Sequence, residues 1–152
     1  MNKKAAKGHT PKATITPVMS KLVAGLRVER RKSPNVLAVY LTSAFNWSQK
    51  ILILSDVHFD SLHSRRSQLR KLLDQALADN CPIIVTGDFF DVMQGPKDPR
   101  GSLGDVDPQY LDDDYFGRVL DEAEEFWRPY AHLILFLGEG NHETSVQKHY
   151  GL

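Results

Sequence analysis

Apolar residues along the chain cluster in short continuous runs, which are typical of strands buried on both faces of a sheet. Three such runs occupy residues 51–54, 83–85 and 133–137. An earlier run at residues 36–41 predicts a further strand. Because residues 46–48 are typical of a turn, we expect that strand to form a hairpin with the run at 51–54.

Two segments between these runs carry the apolar spacing of an amphipathic helix. Either Ser64 or Ser67 could cap the first helix, while acidic residues at 112–114 favour the start of the second and Pro129 marks its end. The apolar positions are Leu69, Leu72, Leu73, Ala76 and Leu77 in the first helix, and Tyr115, Phe116, Val119, Leu120, Ala123, Phe126 and Trp127 in the second. The resulting β-α-β-α-β order predicts an α/β fold with a mainly parallel sheet.

The charges are unevenly distributed although they cancel over the whole chain, which has 19 basic and 19 acidic residues. The first 32 residues carry a local charge of +8 and the remainder carries −8. We therefore divide the chain into a basic, flexible arm at residues 1–34 and one domain at residues 35–152. The simpler interpretation of the arm is a solvated tail, since it lacks aromatic residues that stack on bases. Nucleic-acid binding through the arm is the alternative.

Two further features concern the cellular environment. The lone cysteine, Cys81, cannot form an internal disulfide and suits a reducing, cytoplasmic compartment. No apolar run reaches the about 18 residues of a transmembrane helix, so we expect no membrane partner. Composition does not determine the oligomeric state.

Polar side chains follow each of the three buried runs at the point where the strand should end. Asp56 and His58 follow the first run, Asp88 follows the second, and an Asn-His-Glu sequence at residues 141–143 follows the third. Ligands of open α/β sheets bind beyond the carboxyl ends of the strands, so these side chains should meet at one edge. Carboxylate, amide oxygen and imidazole together suit Mn²⁺, Fe or Zn²⁺ better than Ca²⁺.

These polar segments resemble the first three motifs of the calcineurin-like metallophosphoesterases. D-x-H lies at residues 56–58, G-D-x-x-D at residues 87–91 and G-N-H-[DE] at residues 140–143. The order and the β-α-β-α-β context match over residues 51–143. The longer strings at residues 87–100 and 140–144 look most like the bacteriophage or prophage branch of the family. That branch would place the protein in the cytoplasm of a bacterium or of a phage-infected host cell.

The resemblance implies a four-layer α/β/β/α sandwich, of which this chain would supply the βαβαβ half, and a centre with two divalent metal ions. Mn²⁺ is the expected metal, with Fe and Zn²⁺ as alternatives. Asp56 and His58 would bind the first ion. Asp88 would bridge both ions, and Asn141 would bind the second.

The same resemblance implies a catalytic role for His142, which would stabilise or protonate the leaving oxygen. Asp91 and Glu143 would orient the metal ligands. A hydroxide activated by two metals would attack phosphorus in line, so the implied reaction is hydrolysis of phosphomonoesters or phosphodiesters. Phosphatase and nuclease activities both stay open.

The family pattern continues beyond these motifs with an isolated His and a G-H-x-H motif, which complete the ligands of both metals. The chain has no G-H-x-H and extends nine residues beyond Glu143. We therefore expect an N-terminal part of a longer phosphoesterase, with activity impaired by the loss of those ligands. The alternative is a non-catalytic, truncated remnant that binds metal weakly, or binds nucleic acid through its basic arm.

Overall fold

The computed structural model describes residues 26–32, 36–42, 45–92, 103–111 and 114–150. Within these ranges the chain forms five strands and three α-helices, together with short 3₁₀ helices. The strands are β1 (Leu26–Arg30), β2 (Leu37–Leu41), β3 (Leu52–Leu54), β4 (Ile83–Val85) and β5 (Ile134–Leu137), and the helices are α1 (Arg66–Ala78), α2 (Tyr115–Trp127) and α3 (Asn141–Tyr150).

Three strands form a parallel sheet in the order β3-β4-β5, with α1 and α2 in the two connections. Ile53 is in register with Ile84, and Ile84 with Phe136. The predicted α/β class and the β-α-β-α-β order are confirmed. Parallel strands end at the same edge of a sheet, so the segments after all three strands leave it side by side.

The main core lies on one face of this sheet, where both connecting helices pack. Ile83 and Val85 are fully buried there and share one apolar cluster with Leu73 and Phe126. The prediction of strands buried on both faces is wrong for β3 and for β5, because Ile53 is 65% exposed and Leu137 is 57% exposed. Both connections run in the same direction across the sheet, so their handedness places both helices on one side.

The N-terminal hairpin differs from the predicted one. β2 pairs antiparallel with β1, with Leu26 opposite Leu41, and β3 pairs with β4 instead. A hydrogen bond from the Arg31 N–H to the Val36 C=O, at 3.0 Å, closes the connection between β1 and β2. The continuous apolar run of β3 suits a parallel neighbour under two helices better than a two-stranded ribbon.

Strand β1 lies inside the segment at residues 1–34 that the charge pattern predicts as an arm. Its alternation of apolar Leu26 and Val28 with charged residues is a strand pattern, which the surrounding Lys and Arg residues obscured. Residues 1–25 and 33–35 lie outside the described residues. The division into arm and domain at residue 34 therefore stays a prediction.

The start of α1 differs from the prediction, whereas the end of α2 agrees with it. α1 follows Arg65 without a side-chain cap, and the Ser64 hydroxyl donates instead to the Val57 C=O at 3.2 Å. The prediction that Pro129 marks the end of the second helix is confirmed, since α2 ends at Trp127 and a 3₁₀ helix (Arg128–Leu133) follows it directly. Among the described residues, no helix is both long enough and apolar enough to cross a membrane.

Candidate metal centre

Main-chain hydrogen bonds join the loops that follow the three parallel strands. The Asp56 N–H donates to the Gly87 C=O at 3.3 Å, and the His58 N–H donates to the Asp88 C=O at 3.1 Å. The loop after β5 is tied to the end of β4 by the Gly138 N–H, at 2.8 Å. The structure thus brings the three predicted motifs together at one edge of the sheet.

Three residues predicted to bind metal have a left-handed backbone. The φ angle is 52° at Asp56, 44° at His58 and 50° at Asp88. Non-glycine residues adopt this region infrequently, and such strained conformations cluster at functional sites, where the surrounding structure enforces them. Backbone strain is therefore concentrated where the motif residues leave β3 and β4.

Two glycines allow the loops to approach each other. Gly87 has a φ of 141°, and a Cβ there would lie 2.8 Å from the Gly140 main chain. A Cβ at Gly140 would lie 2.5 Å from the Asp88 Cγ. Any side chain at Gly140 would therefore displace the Asp88 carboxylate.

A compact cluster of two histidines and one carboxylate occupies this edge of the sheet. Asp91 Oδ1 lies 3.1 Å from His58 Nδ1 and 3.2 Å from His142 Nδ1. The two imidazole rings meet edge to face at 84°, with centroids 4.5 Å apart. One nitrogen or oxygen from each of the three residues lies within 4.8 Å of the others, so the group has the spacing of a metal site.

The contacts of Asp91 fix which imidazole nitrogens carry protons. The Asp91 C=O lies 2.7 Å from His142 Nδ1, and a carbonyl oxygen can only accept. His142 Nδ1 is therefore the donor, which leaves Nε2 for substrate or metal. The Asp91 carboxylate also lies 3.1 Å from His58 Nδ1, and because a carboxylate oxygen accepts, this contact favours the same tautomer in His58. Whether Asp91 orients metal ligands stays a prediction.

Glu143 ties the third motif to the second. Its carboxylate accepts hydrogen bonds from the N–H groups of Gly140 at 2.7 Å, Phe90 at 2.9 Å and Asp88 at 3.2 Å. The Asp88 carboxylate in turn accepts from the His142 N–H at 3.0 Å. The start of α3 and the loop after β4 are thus held as one unit.

The remaining predicted ligands lie on the exposed side of the centre. Asp56 is exposed, and its carboxylate accepts a hydrogen bond from the Ser55 hydroxyl. Asn141 is exposed and is the first residue of α3. In the part of the chain that the structure describes, the compact histidine–carboxylate cluster includes neither Asp56 nor Asp88. The individual metal-ligand roles therefore stay predictions.

Sequence reasoning missed a buried aspartate beside this centre. Asp60 lies two residues after His58 and is 1% exposed, and its carboxylate bonds to the segment that contains Asp91. The spacing of two residues gives no local signal, because the left-handed backbone at His58 breaks the alternation of an extended segment. That spacing alone does not distinguish a buried carboxylate from an ordinary turn residue.

The side chains at this edge fit a divalent transition metal. Imidazole nitrogens and carboxylate oxygens are present together, which suits Mn²⁺, Fe and Zn²⁺. The Asp88 carboxylate occupies the space beside Gly140 that a Cβ would take. The site therefore has the donor chemistry that a metal ion requires.

The fold and the cluster define an α/β protein with a histidine–carboxylate centre at the carboxyl edge of a parallel sheet. The sequence model of the calcineurin-like phosphoesterase family matches residues 49–152. The chain belongs to this family of metal-dependent phosphoester hydrolases, and the resemblance of its motifs is confirmed. Searches of curated proteins and of solved structures gave no match. The bacteriophage branch stays a prediction.

Proposed function

We propose that the chain hydrolyses phosphate monoesters or diesters with the help of two divalent ions, in the first place Mn²⁺. Asp56 and His58 would hold one ion and Asn141 the other, while Asp88 would contact both. The observation that carries this proposal is the meeting of the three motif loops at one edge of the sheet, where Asp91 holds both histidines. Family membership supplies the reaction class.

The residues of the chain would position the ester and move a proton. Divalent ions, when bound, supply Lewis-acid activation of the phosphoryl group and of water. His142 is buried, and because the Asp91 C=O engages its Nδ1, its Nε2 is the nitrogen that can serve the leaving oxygen. The hydrogen bond from the His142 N–H to Asp88 keeps these two groups in a fixed relation.

A cavity beside the centre supports an ester with an organic substituent. It has a volume of about 490 Å³ and is lined by Asp56 and His58 at the metal centre, by apolar Leu54 and Leu69, and by Arg65. Arginine suits an anionic ester, and the apolar side chains suit a ring or hydrocarbon group. We therefore favour aryl phosphates and nucleotide-like esters as substrates.

The test is hydrolysis of p-nitrophenyl phosphate and bis(p-nitrophenyl) phosphate with Mn²⁺, Fe²⁺ or Zn²⁺. Asp88→Asn should lower the rate by about 100-fold, since it removes a charged group at the centre. Asp121→Asn is the matched control, because Asp121 is exposed on α2, and it should leave the rate unchanged. Absence of metal-stimulated hydrolysis, or full activity of Asp88→Asn, would overturn the proposal.

Nucleic-acid binding is a second candidate function, and the positive charge of the N-terminal region supports it. The first 32 residues carry +8, and in the β1–β2 hairpin Arg27 and Arg31 lie over the Tyr40 ring, at 4.5 and 5.6 Å from its centre. Such a surface can contact phosphates and bases. DNA affinity should fall with added salt and weaken when residues 1–25 are deleted. Affinity that survives this deletion unchanged would contradict the assignment.

We also propose that the protein acts in the cytoplasm. Its single cysteine, Cys81, is a buried free thiol, which suits a reducing compartment. Fractionation of cells that produce the protein should recover it with cytoplasmic markers. Recovery with secreted or envelope proteins would contradict this location.

A further inference from the structure

A buried carboxylate next to the metal centre has no role in the motifs described above. Asp60 accepts hydrogen bonds from the N–H of Asp91 at 2.6 Å and from the N–H of Val92 at 3.0 Å. Its third donor is the hydroxyl of Tyr115, the first residue of α2. An ionised carboxylate is costly to bury unless several donors replace its water, and these three donors do so.

The segment that Asp60 binds is the one that orients both histidines. Asp91 contacts His58 through its carboxylate, and it contacts His142 through its carboxylate and its C=O. A rotation of the main chain at Asp91 would therefore move these acceptors away from both Nδ1 atoms together. The Asp60 carboxylate opposes such a rotation, because it holds two consecutive N–H groups of this segment.

The backbone at Val92 requires such a restraint. Its φ angle is 35°, and a β-branched residue in this region is a steric outlier. Strained conformations of this kind persist only where surrounding contacts enforce them. Here the side chain of Val92 is buried and its N–H is held by Asp60, so loss of the carboxylate would let the segment relax.

Tyr115 connects Asp60 to the second helix. Burial and the nearby Asp60 charge raise the pKa of the Tyr115 hydroxyl, which therefore remains a donor at neutral and mildly alkaline pH. Tyr115 also packs against a small buried cluster of Val106, Tyr110 and Val119. The position of the Asp60 carboxylate, which holds Asp91, therefore depends on the position of α2.

We propose that Asp60 is a positioning residue of the metal centre. Supported by Tyr115, it holds Asp91 in the conformation that fixes the Nδ1–H tautomer of His58 and His142. The inference rests on the proposed function for the roles of these histidines. It also makes a statement about the metal-free protein that does not depend on hydrolysis.

The experiment compares Asp60→Asn and Tyr115→Phe with the control Tyr130→Phe. Tyr130 offers a matched contact, because its hydroxyl donates to Asp74 at 2.5 Å and neither residue belongs to the histidine–carboxylate cluster. The first readout is the tautomer of His58 and His142 from ¹H–¹⁵N correlation spectra of the metal-free proteins. The second readout is the dissociation constant for Mn²⁺, measured by calorimetry.

We expect Asp60→Asn to convert His142 from one tautomer to a mixture and to weaken Mn²⁺ binding by about 10–100-fold, the usual effect of removing a group that orients metal ligands. Tyr115→Phe should change both readouts in the same direction by less, because it keeps the carboxylate and its two N–H bonds. Tyr130→Phe should change neither.

Two results would overturn the inference. One is a wild-type tautomer pattern in a folded Asp60→Asn protein. The other is a change in Tyr130→Phe as large as that in Tyr115→Phe, because it would show that any lost tyrosine contact has this effect. If Asp60→Asn does not fold, the comparison of Tyr115→Phe with Tyr130→Phe decides whether the inference holds. The tautomer readout also separates this inference from the proposed function, since a protein without hydrolytic activity would still show it.

Discussion

Glu143→Ala should destabilise the fold far more than an ordinary surface substitution, because one carboxylate holds three main-chain N–H groups. Oε2 accepts from Gly140 at 2.7 Å and from Asp88 at 3.2 Å, while Oε1 accepts from Phe90 at 2.9 Å. These bonds join the start of α3 to the loop after β4. Their loss would therefore loosen the connection between two of the three motifs.

The magnitude follows from the number and kind of these bonds. A hydrogen bond to a charged group contributes about 1.5–3 kcal/mol, and a buried N–H left without an acceptor costs about 1–3 kcal/mol. The three bonds share one half-buried carboxylate, so their contributions overlap and we expect a total near 4 kcal/mol, to order of magnitude. Glu143→Gln keeps an acceptor on one side of the group only and should cost about 2 kcal/mol.

Urea unfolding, followed by the fluorescence of buried Trp127, measures this effect. With a slope of about 2 kcal/mol per molar, the midpoint should fall by about 2 M for Glu143→Ala and about 1 M for Glu143→Gln. Glu124→Ala is the control, because its carboxylate forms an exposed pair with Arg128 at 3.3 Å, and it should cost less than about 0.5 kcal/mol. A Glu143→Ala shift no larger than that of the control would refute the reasoning.

Two further predictions concern close packing and pH. Gly140→Ala should cost about 1–3 kcal/mol and weaken Mn²⁺ binding, because the new Cβ displaces the Asp88 carboxylate and meets the Asp88 main chain. Gly117→Ala should cost less, because its Cβ meets only the exposed carboxylate of Asp114. Equal urea midpoints for the two variants would contradict this. Burial and neighbouring carboxylates raise the pKa of Tyr110 and Tyr115, so the folded chain keeps these protons to higher pH than the unfolded chain. The resulting stabilisation is complete below about pH 10 and is lost as the pH rises further. Tyr115→Phe should therefore flatten the alkaline fall in stability measured by urea unfolding, and an unchanged fall would contradict the assignment.

Some of the fold could be predicted from local patterns, and some could not. The continuous apolar run at Ile83–Val85 correctly indicates a buried central strand, because both its neighbours and the helices above it exclude water. The run at Leu52–Leu54 gives the same signal, although Ile53 faces away from the helices. A run of apolar residues indicates which positions avoid water. It does not indicate which side of the sheet the helices cover. Strand β1 was not predicted, because its charged residues obscure the alternation of apolar and polar positions.

The site shows a similar division between local and long-range information. The strand-end positions of Asp56, Asp88 and His142 follow from chain order, because parallel strands must end together. The role of Asp60 does not, because its partner Tyr115 is 55 residues away and its other partners are main-chain groups, which carry no sequence signal. A motif locates groups on the chain, whereas their orientation depends on contacts that form only in the folded protein.

The central claim is that the chain needs a divalent metal to hydrolyse phosphate esters. The most direct measurement is the rate of p-nitrophenyl phosphate hydrolysis by protein stripped with a chelator and then titrated with Mn²⁺, with Asp88→Asn assayed in parallel. We predict no hydrolysis before the metal is added, a saturable rise as Mn²⁺ increases, and a rise about 100-fold smaller in Asp88→Asn. A rate that is unaffected by stripping and titration, or no hydrolysis at any Mn²⁺ concentration, would contradict the claim.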